Sequence, residues 1–375
     1  MKTNPLQVLV VVTFLAGWLA GCAPSVASPT APHNGIATDV TGTLTAIALP
    51  DPTSAPPASA TPASPSQVWS CYTCGGDTLW KLDSTGSHLL KLPFSMGAFY
   101  GYSPVRDQLL MAHRFPDHGA GPGNVSVSDL SLFDMATGEV SELVPDKVVE
   151  AYWAPDGQQL AYILATDKSY EIHWRDGNGV DTTLVADVSF TWSVAPSGHS
   201  VAFTRESGYG LGASPGLFAV SVPSGEVVPL SEADKGGVGS TVDQPIWSTS
   251  SDEVIFSLWG GEDTRTILAR ADGSDTFDLN LDPSMSDEAW FTPTIPRILW
   301  TPDGDHLLTM PAAGNSGMGG PGPLVLFRLD RSRHQLTDGR LLGETMDLIG
   351  WDVPGHSVWV ISESGTPERL WLPDA

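Results

Sequence analysis

Cys71-x-x-Cys74 has the spacing of a redox dithiol, a local disulfide or half of a zinc site. The only other cysteine is Cys22, so a second pair for a four-cysteine zinc site is missing. In an exported chain the pair is expected to form a disulfide within a hairpin. "GASPG" (212–216) has the Gly-x-Ser-x-Gly form of a nucleophile elbow, which needs a strand before it and a helix after it. Pro215 follows the serine and an apolar strand-like run comes next, so the match is read as chance. Asp176, Asn178 and Asp181 in "RDGNGVD" resemble part of a calcium loop without its closing glutamate, and a chain turn explains them as well. His113, Asp117 and His118 share one loop but have no further ligand nearby, so a solvated loop is expected. No HExxH motif or phosphate loop is present. These residues therefore assign no catalytic set, metal or cofactor.

The elements that must position any site are repetitive. "WAPDGQQLAY" from Trp153 has gapless relatives that start at Tyr102, Val194, Trp247, Trp300 and Trp351. The spacings are 51, 41, 53, 53 and 51 residues, the period of a repeated supersecondary unit. A second element recurs between the heads: "LWKLDSTG" (79–86), "LFDMATG" (132–138), "IHWRDGNG" (172–179), "LFAVSVPSG" (217–225), "ILARADG" (267–273), "LFRLDRS" (326–332) and "LWLPDA" (370–375). Each reads as a strand running into a tight turn, where Asp, Gly and Ser cap their own backbone or accept positive φ. One unit is then strand, Pro-Asp-Gly turn, strand, loop, strand, Asp-Gly turn, strand. Four antiparallel strands in about 50 residues is the size of a propeller blade. The head aromatics Trp153, Trp247, Trp300 and Trp351 are expected to be buried packing residues.

The two motifs resemble the repeats of TolB-like β-propellers, which also occur in propeller domains of prolyl-oligopeptidase-type enzymes. The resemblance covers residues 67–375 and implies an all-β fold of four-stranded antiparallel blades. Six heads and seven strand-plus-turn elements fit either six closed blades or seven incomplete ones, and seven is favoured. "QVWSCYTCGGDTLWKL" (67–82) reads as a blade without its head, and the segment from Trp351 as one without its last strand. The two ends are expected to meet and close the ring, which removes exposed sheet edges.

Strand alternation puts the Pro-Asp-Gly and Asp-Gly turns at one end of every unit and the long segments at the other. Those segments are 112–129, 204–216, 231–244, 258–266, 282–296 and 311–323. Long loops on a rigid scaffold tend to carry function. They hold Arg114, His118, Arg205, Tyr209, Trp259, Arg265 and Trp290, and Arg and aromatic residues are enriched at binding hot spots. These seven residues are the candidate binding rim.

The formal charge is −25, which repels phosphate backbones and argues against a nucleic-acid partner. The chain opens with Lys2 and an apolar run, Leu6 to Trp18, that is short for a spanning helix. The run ends in Leu19-Ala20-Gly21-Cys22, which resembles the lipobox of bacterial lipoproteins. That resemblance implies removal of residues 1–21, lipidation of Cys22 and stable membrane anchoring through several acyl chains. Residues 22–66 are rich in Pro, Ser, Thr and Ala and bury too little to offset their ordering entropy, so a disordered tether is expected. The expected protein faces the extracytoplasmic side of the cell envelope. Its expected role is non-enzymatic binding of an envelope protein, peptide or cell-wall component. The alternative is a lyase or hydrolase acting on an extracellular polymer at the channel mouth.

Overall fold

The apolar alternation of the repeat is realised as β-strand, since β-branched and aromatic residues fit a pleated surface packed on both sides. The computed structural model describes residues 66–70, 76–117, 125–167, 169–205, 216–231, 241–242, 245–260, 263–281, 297–310, 322–353 and 356–372. Cys22, Cys71, Cys74, His118, Tyr209 and Trp290 lie outside them. The chain divides into two units, Met1–Ala60 and Thr61–Ala375, and every described sheet belongs to the second. No helix among the described residues is long and apolar enough to cross a membrane.

The strands fall into successive antiparallel groups. The first holds β1 (Gln67–Ser70), β2 (Thr78–Asp83) and β3 (Gly86–Lys91). The second holds β4 (Ala98–Ser103), β5 (Gln108–Ala112), β6 (Ser128–Asp134) and the start of β7 (Val140–Trp153). The end of β7, β8 (Leu160–Ala165), β9 (Tyr170–Arg175) and the start of β10 (Asp181–Val194) form the third. The end of β10, β11 (Ser200–Arg205), β12 (Leu217–Ser221) and β13 (Val227–Pro229) form the fourth. The fifth comprises β14 (Thr241–Val242), β15 (Ile246–Trp247), β16 (Glu253–Gly260), β17 (Asp263–Arg270) and β18 (Thr276–Leu281). The sixth comprises β19 (Arg297–Trp300), β20 (His306–Met310), β21 (Gly322–Asp330) and β22 (Gln335–Thr345). The seventh has β23 (Asp347–Val353), β24 (Ser357–Ile361) and β25 (Pro367–Trp371).

Two connections between groups are continuous strands. β7 and β10 each leave one sheet and enter the next, bending at Lys147 (φ 64°) and Asp187 (φ 57°). Val148 consequently pairs with Ser128 of one group and Leu164 of the next, and Val188 pairs with both Tyr170 and Arg205.

Residues 258–266 are not the long loop that their composition suggests. β16 and β17 run on to a tight hairpin, with Trp259 opposite Thr264 and Gly260 opposite Asp263.

The core lies between groups. In β5, Leu109 and Met111 pack with Val68 and Leu79 of the first group. Leu110 points the other way, to Val148 and Leu160 of the third. Further clusters join groups three and four, four and five, five and six, and six and seven. Each fully buried aliphatic side chain contributes roughly 1.5–3 kcal/mol. At the boundary of the seventh and first groups the bonds that cross are polar. Gln67 donates to the carbonyl of Trp351, and Arg369 Nη2 donates to the Asp83 carbonyl at 3.0 Å.

Trp247 and Trp300 are buried, as a packing column requires, whereas Trp153 and Trp351 are half-buried. The indole N–H of Trp247 donates to Ser193 O (3.2 Å) and that of Trp351 to Trp300 O (2.9 Å), so each also ties its group to the one before.

Candidate binding face

Antiparallel pairing gives every group two ends. At one end lie the turns between first and second strands and between third and fourth. This end is used internally. Ser103 donates its hydroxyl to Gly157 O (2.7 Å), the Ser197 amide donates to Ser251 Oγ (2.9 Å), and Thr249 donates to Pro302 O (3.4 Å). Each bond links a turn to the equivalent turn of the next group. The turn aspartates cap their own backbone. Asp134 accepts the Thr137 amide at 2.8 Å, Asp156 the Gln158 amide at 2.8 Å and Asp330 the Ser332 amide at 3.0 Å. Asp176 accepts the amides of Asn178 and Val180, both at 2.9 Å, and Arg175 reaches Asp181 at 3.0 Å, so "RDGNGVD" is a capped turn. These bonds to the ionised form hold Asp134, Asp176 and Asp330 below the usual carboxylate range. The leading donors are the Thr137 amide, the Val180 amide and the Ser332 hydroxyl, respectively.

The opposite end carries the predicted rim residues Arg114 and Arg205. Arg114 lies just beyond β5 and Arg205 closes β11, so both sit where a second strand ends. The backbone at Arg114 is fixed twice. The buried Asp129 carboxylate accepts its amide at 2.8 Å and that of His113 at 3.1 Å. Gly97 presses against the same segment, and a Cβ built on Gly97 would stand 1.8 Å from the Arg114 carbonyl. The guanidinium of Arg114 hydrogen-bonds Glu142, and Phe115 beside it is 72% exposed. Arg205 is exposed, with its guanidinium 5.0 Å from the Phe218 ring centre. His113 packs edge-on against Phe94, and Asp117 bridges Val127 through its backbone.

Arg265 is the third residue of β17, two positions from the hairpin that joins second and third strands. It lies within β17 with Nη1 3.3 Å from Asp278 of β18. It lines a cleft of about 430 Å³ with Asp275 and Asp278, walled on the other side by Pro229 to Ser231 of the fourth group. Trp259 is at the end of β16 opposite Thr241 and Thr264.

Two features of this end were not singled out in the sequence. Glu150, in the last part of β7, accepts the Trp192 indole N–H at 2.8 Å and the Tyr152 hydroxyl. Burial raises its pKa, against the lowering effect of those two donors. Tyr100, hydrogen-bonded to Ser128 at 2.9 Å, is also raised by burial, with smaller contributions from Asp129 and Glu150. The available signal was a carboxylate among "VVEAYW", a run otherwise apolar. The second feature is a cleft of about 360 Å³ between the first and seventh groups, lined by Trp80, Met346, Asp347, Ile361 and Glu363 among others. Its residues sit at or beside the loop-end termini of β1, β2, β23 and β24. No group of three or more His, Cys, Asp or Glu that could hold a metal occurs among the described residues.

No family model and no curated protein matches the chain. Among solved structures it is similar to an oligogalacturonate lyase in complex with manganese. The identity is 13% and the TM-score 0.55, over 79% of this chain and 83% of that one. It is similar to the tricorn protease at 12% identity and a TM-score of 0.54, over 80% of this chain. The chain spans only 32% of that protease's length. A TolB protein from Acinetobacter baumannii aligns at 12% identity and a TM-score of 0.43, over 80% of this chain and 76% of that one. The fold is that of β-propeller proteins. At such identities the likeness speaks for the fold alone.

Proposed function

We propose that the chain is a lipid-anchored β-propeller of the cell envelope that binds a protein, peptide or cell-wall component on its loop-bearing face. In this reading the seven strand groups are seven blades, the first lacking its innermost strand and the last its outermost. The polar contacts between β1–β2 and β23–β25 then close the ring. The TolB-like character of the repeat belongs to the same proposal, as does anchoring at Cys22, with residues 22–66 as the tether.

The observation that carries the binding reading is the contrast between the two ends. Turn-to-turn hydrogen bonds and aspartate caps occupy the turn end. At the other end Arg205 and Phe115 are exposed on a scaffold fixed by Asp129. Capture from envelope extracts tests it. Arg205→Glu should lose the captured partner, while Arg333→Glu, the same charge change on a turn-end arginine, should keep it. The reverse pattern overturns the choice of face. For the anchor, Cys22→Ser should move the protein to the soluble fraction, and retention in the membrane pellet argues against lipidation.

A second reading, an enzyme acting on an extracellular polymer, is favoured by Glu150 alone. A half-buried carboxyl that keeps its proton above the usual range can serve as a general acid. If that reading holds, Glu150→Gln abolishes turnover of a polysaccharide panel that includes oligogalacturonate while the fold is retained.

A further inference from the structure

The boundary between the seventh and first groups differs from the other six, and the difference has a chemical use. Elsewhere consecutive sheets meet through clusters of buried aliphatic and aromatic side chains. Here a cleft of about 360 Å³ stands between them, within the range of sites that take small organic ligands. Strand alternation explains what faces it. Leu79 points into the cluster shared with the second group, so Trp80 points the other way, into the cleft. Trp69 and Leu89 are the cross-strand partners of Trp80 and share its face. On the seventh group Val358 and Val360 face the sixth, and Ile361 at the end of β24 lines the cleft. The cleft thus has apolar walls in Trp80, Met346 and Ile361.

Its polar lining is one-signed. Asp347 and Glu363 both border the cleft, and no lysine or arginine is among its described lining residues. Arg369, the basic residue of the facing sheet, is engaged elsewhere. It pairs with Asp352 at 2.6 Å and lies 4.9 Å over the Trp359 ring. Asp347 Oδ1 accepts the Leu348 amide at 2.8 Å, which fixes its carboxylate at the head of β23. An indole, an aliphatic floor and two carboxylates suit one kind of ligand: a cation carried on an apolar body. The indole attracts a cation through its quadrupole, the floor covers the hydrocarbon, and the carboxylates supply the opposite charge.

We propose that this cleft binds an organic cation on an apolar stem, either a free alkylamine or the lysine side chain of a partner peptide. The proposal deepens the binding reading of the loop-bearing face by naming the chemistry one part of it takes, and it rests on that reading only for the identity of a protein source. The test is a titration of the full chain followed by the Trp80 indole N–H resonance, assigned by its loss in Trp80→Phe. Three probes are used: hexylamine, its uncharged counterpart 1-hexanol, and the acetyl-Gly-Lys-Gly-amide peptide. Hexylamine should shift the resonance saturably and bind at least tenfold more tightly than hexanol. Asp347→Asn combined with Glu363→Gln should weaken hexylamine at least tenfold while the variant keeps a cooperative melting transition, which shows that the fold is retained. A peptide that matches hexylamine points to a partner's lysine, and one that leaves the resonance unmoved points to a free amine. The proposal fails if hexylamine gives no saturable shift, if hexanol binds as tightly, or if the double variant binds as well as wild type. A partner still captured by that variant but lost with Arg205→Glu would leave the binding face standing while the cleft assignment falls.

Discussion

A single carboxyl illustrates how these sheets constrain chemistry. Glu150 gains hydrogen bonds from Trp192 and Tyr152, yet burial outweighs them and raises its pKa from the ordinary 4.5. The folded state therefore holds a proton that the unfolded chain releases. Stability from this group is present below the unfolded pKa and is lost as pH rises through the window up to the folded one. The turn aspartates act in the opposite sense. Their pKa values are lowered, so their contribution is present above about 3.8 and lost as pH falls. Glu150→Gln removes only the first effect. The variant's melting temperature relative to wild type should climb as pH rises above about 4.5. A constant offset between pH 4 and 8 would count against the burial argument. In sequence Glu150 was illegible because nothing in "VVEAYW" shows that Trp192, 42 residues on, supplies its partner. Cys22, Cys71 and Cys74 stay as sequence readings, outside the described residues.

At the scale of strands and turns the sequence is far more informative. The head motif places Trp153, Trp247 and Trp300 at the ends of first strands and Trp351 two residues before the end of β23, and the aspartates of the second element cap turns. Both signals are local. A Pro-Asp-Gly or Asp-x-x-Gly string fixes its own backbone within four or five residues, whatever the rest of the chain does. What local signals miss is pairing that overrides them. Residues 258–266 carry two glycines and read as a loop, but eight consecutive pairs between β16 and β17 extend the hairpin. The continuous β7 and β10 were hidden for the same reason, since Lys147 and Asp187 give no obvious sign of a bend. Contact between elements also sets which glycines matter. Gly97 is pressed against Arg114, so Gly97→Ala must displace β4 or the Arg114 segment. Overpacking of this kind costs typically 1–3 kcal/mol and occasionally more. At Gly177 the nearest atom to an added Cβ is 4.0 Å away, so Gly177→Ala should leave melting within about 0.5 kcal/mol of wild type. Equal melting of the two variants would refute the close approach that positions Arg114.

Across the whole molecule the unequal boundaries predict where it opens first. The contacts between the terminal sheets join residues more than 280 positions apart, as Gln67 to Trp351 and Arg369 to Asp83 do, and no motif announces them. Six boundaries rely on apolar clusters, which lose little when one polar contact goes. The seventh depends on Arg369, which holds the nearly buried Asp352 at 2.6 Å, reaches the Asp83 carbonyl at 3.0 Å and stacks on Trp359. The 2.6 Å contact is an ion pair between close charges and not an aligned hydrogen bond. Arg369→Ala would leave Asp352 buried, with the Ser357 hydroxyl at 2.9 Å as its remaining donor among the described residues. Removing one partner of such a pair costs about 3–5 kcal/mol, and Arg369 is partly exposed, so about 3 kcal/mol is the fitting end of that range. The loss should be local. Amide exchange should quicken in β1–β3 and β23–β25, while β8–β11, enclosed on both sides by apolar clusters, keep wild-type protection. A uniform loss of protection over all strands would mean that the first and last groups unfold only with the rest. The boundary would then be as cooperative as the other six, and the cleft beside Trp80 would sit in a rigid wall and not at the molecule's weakest junction.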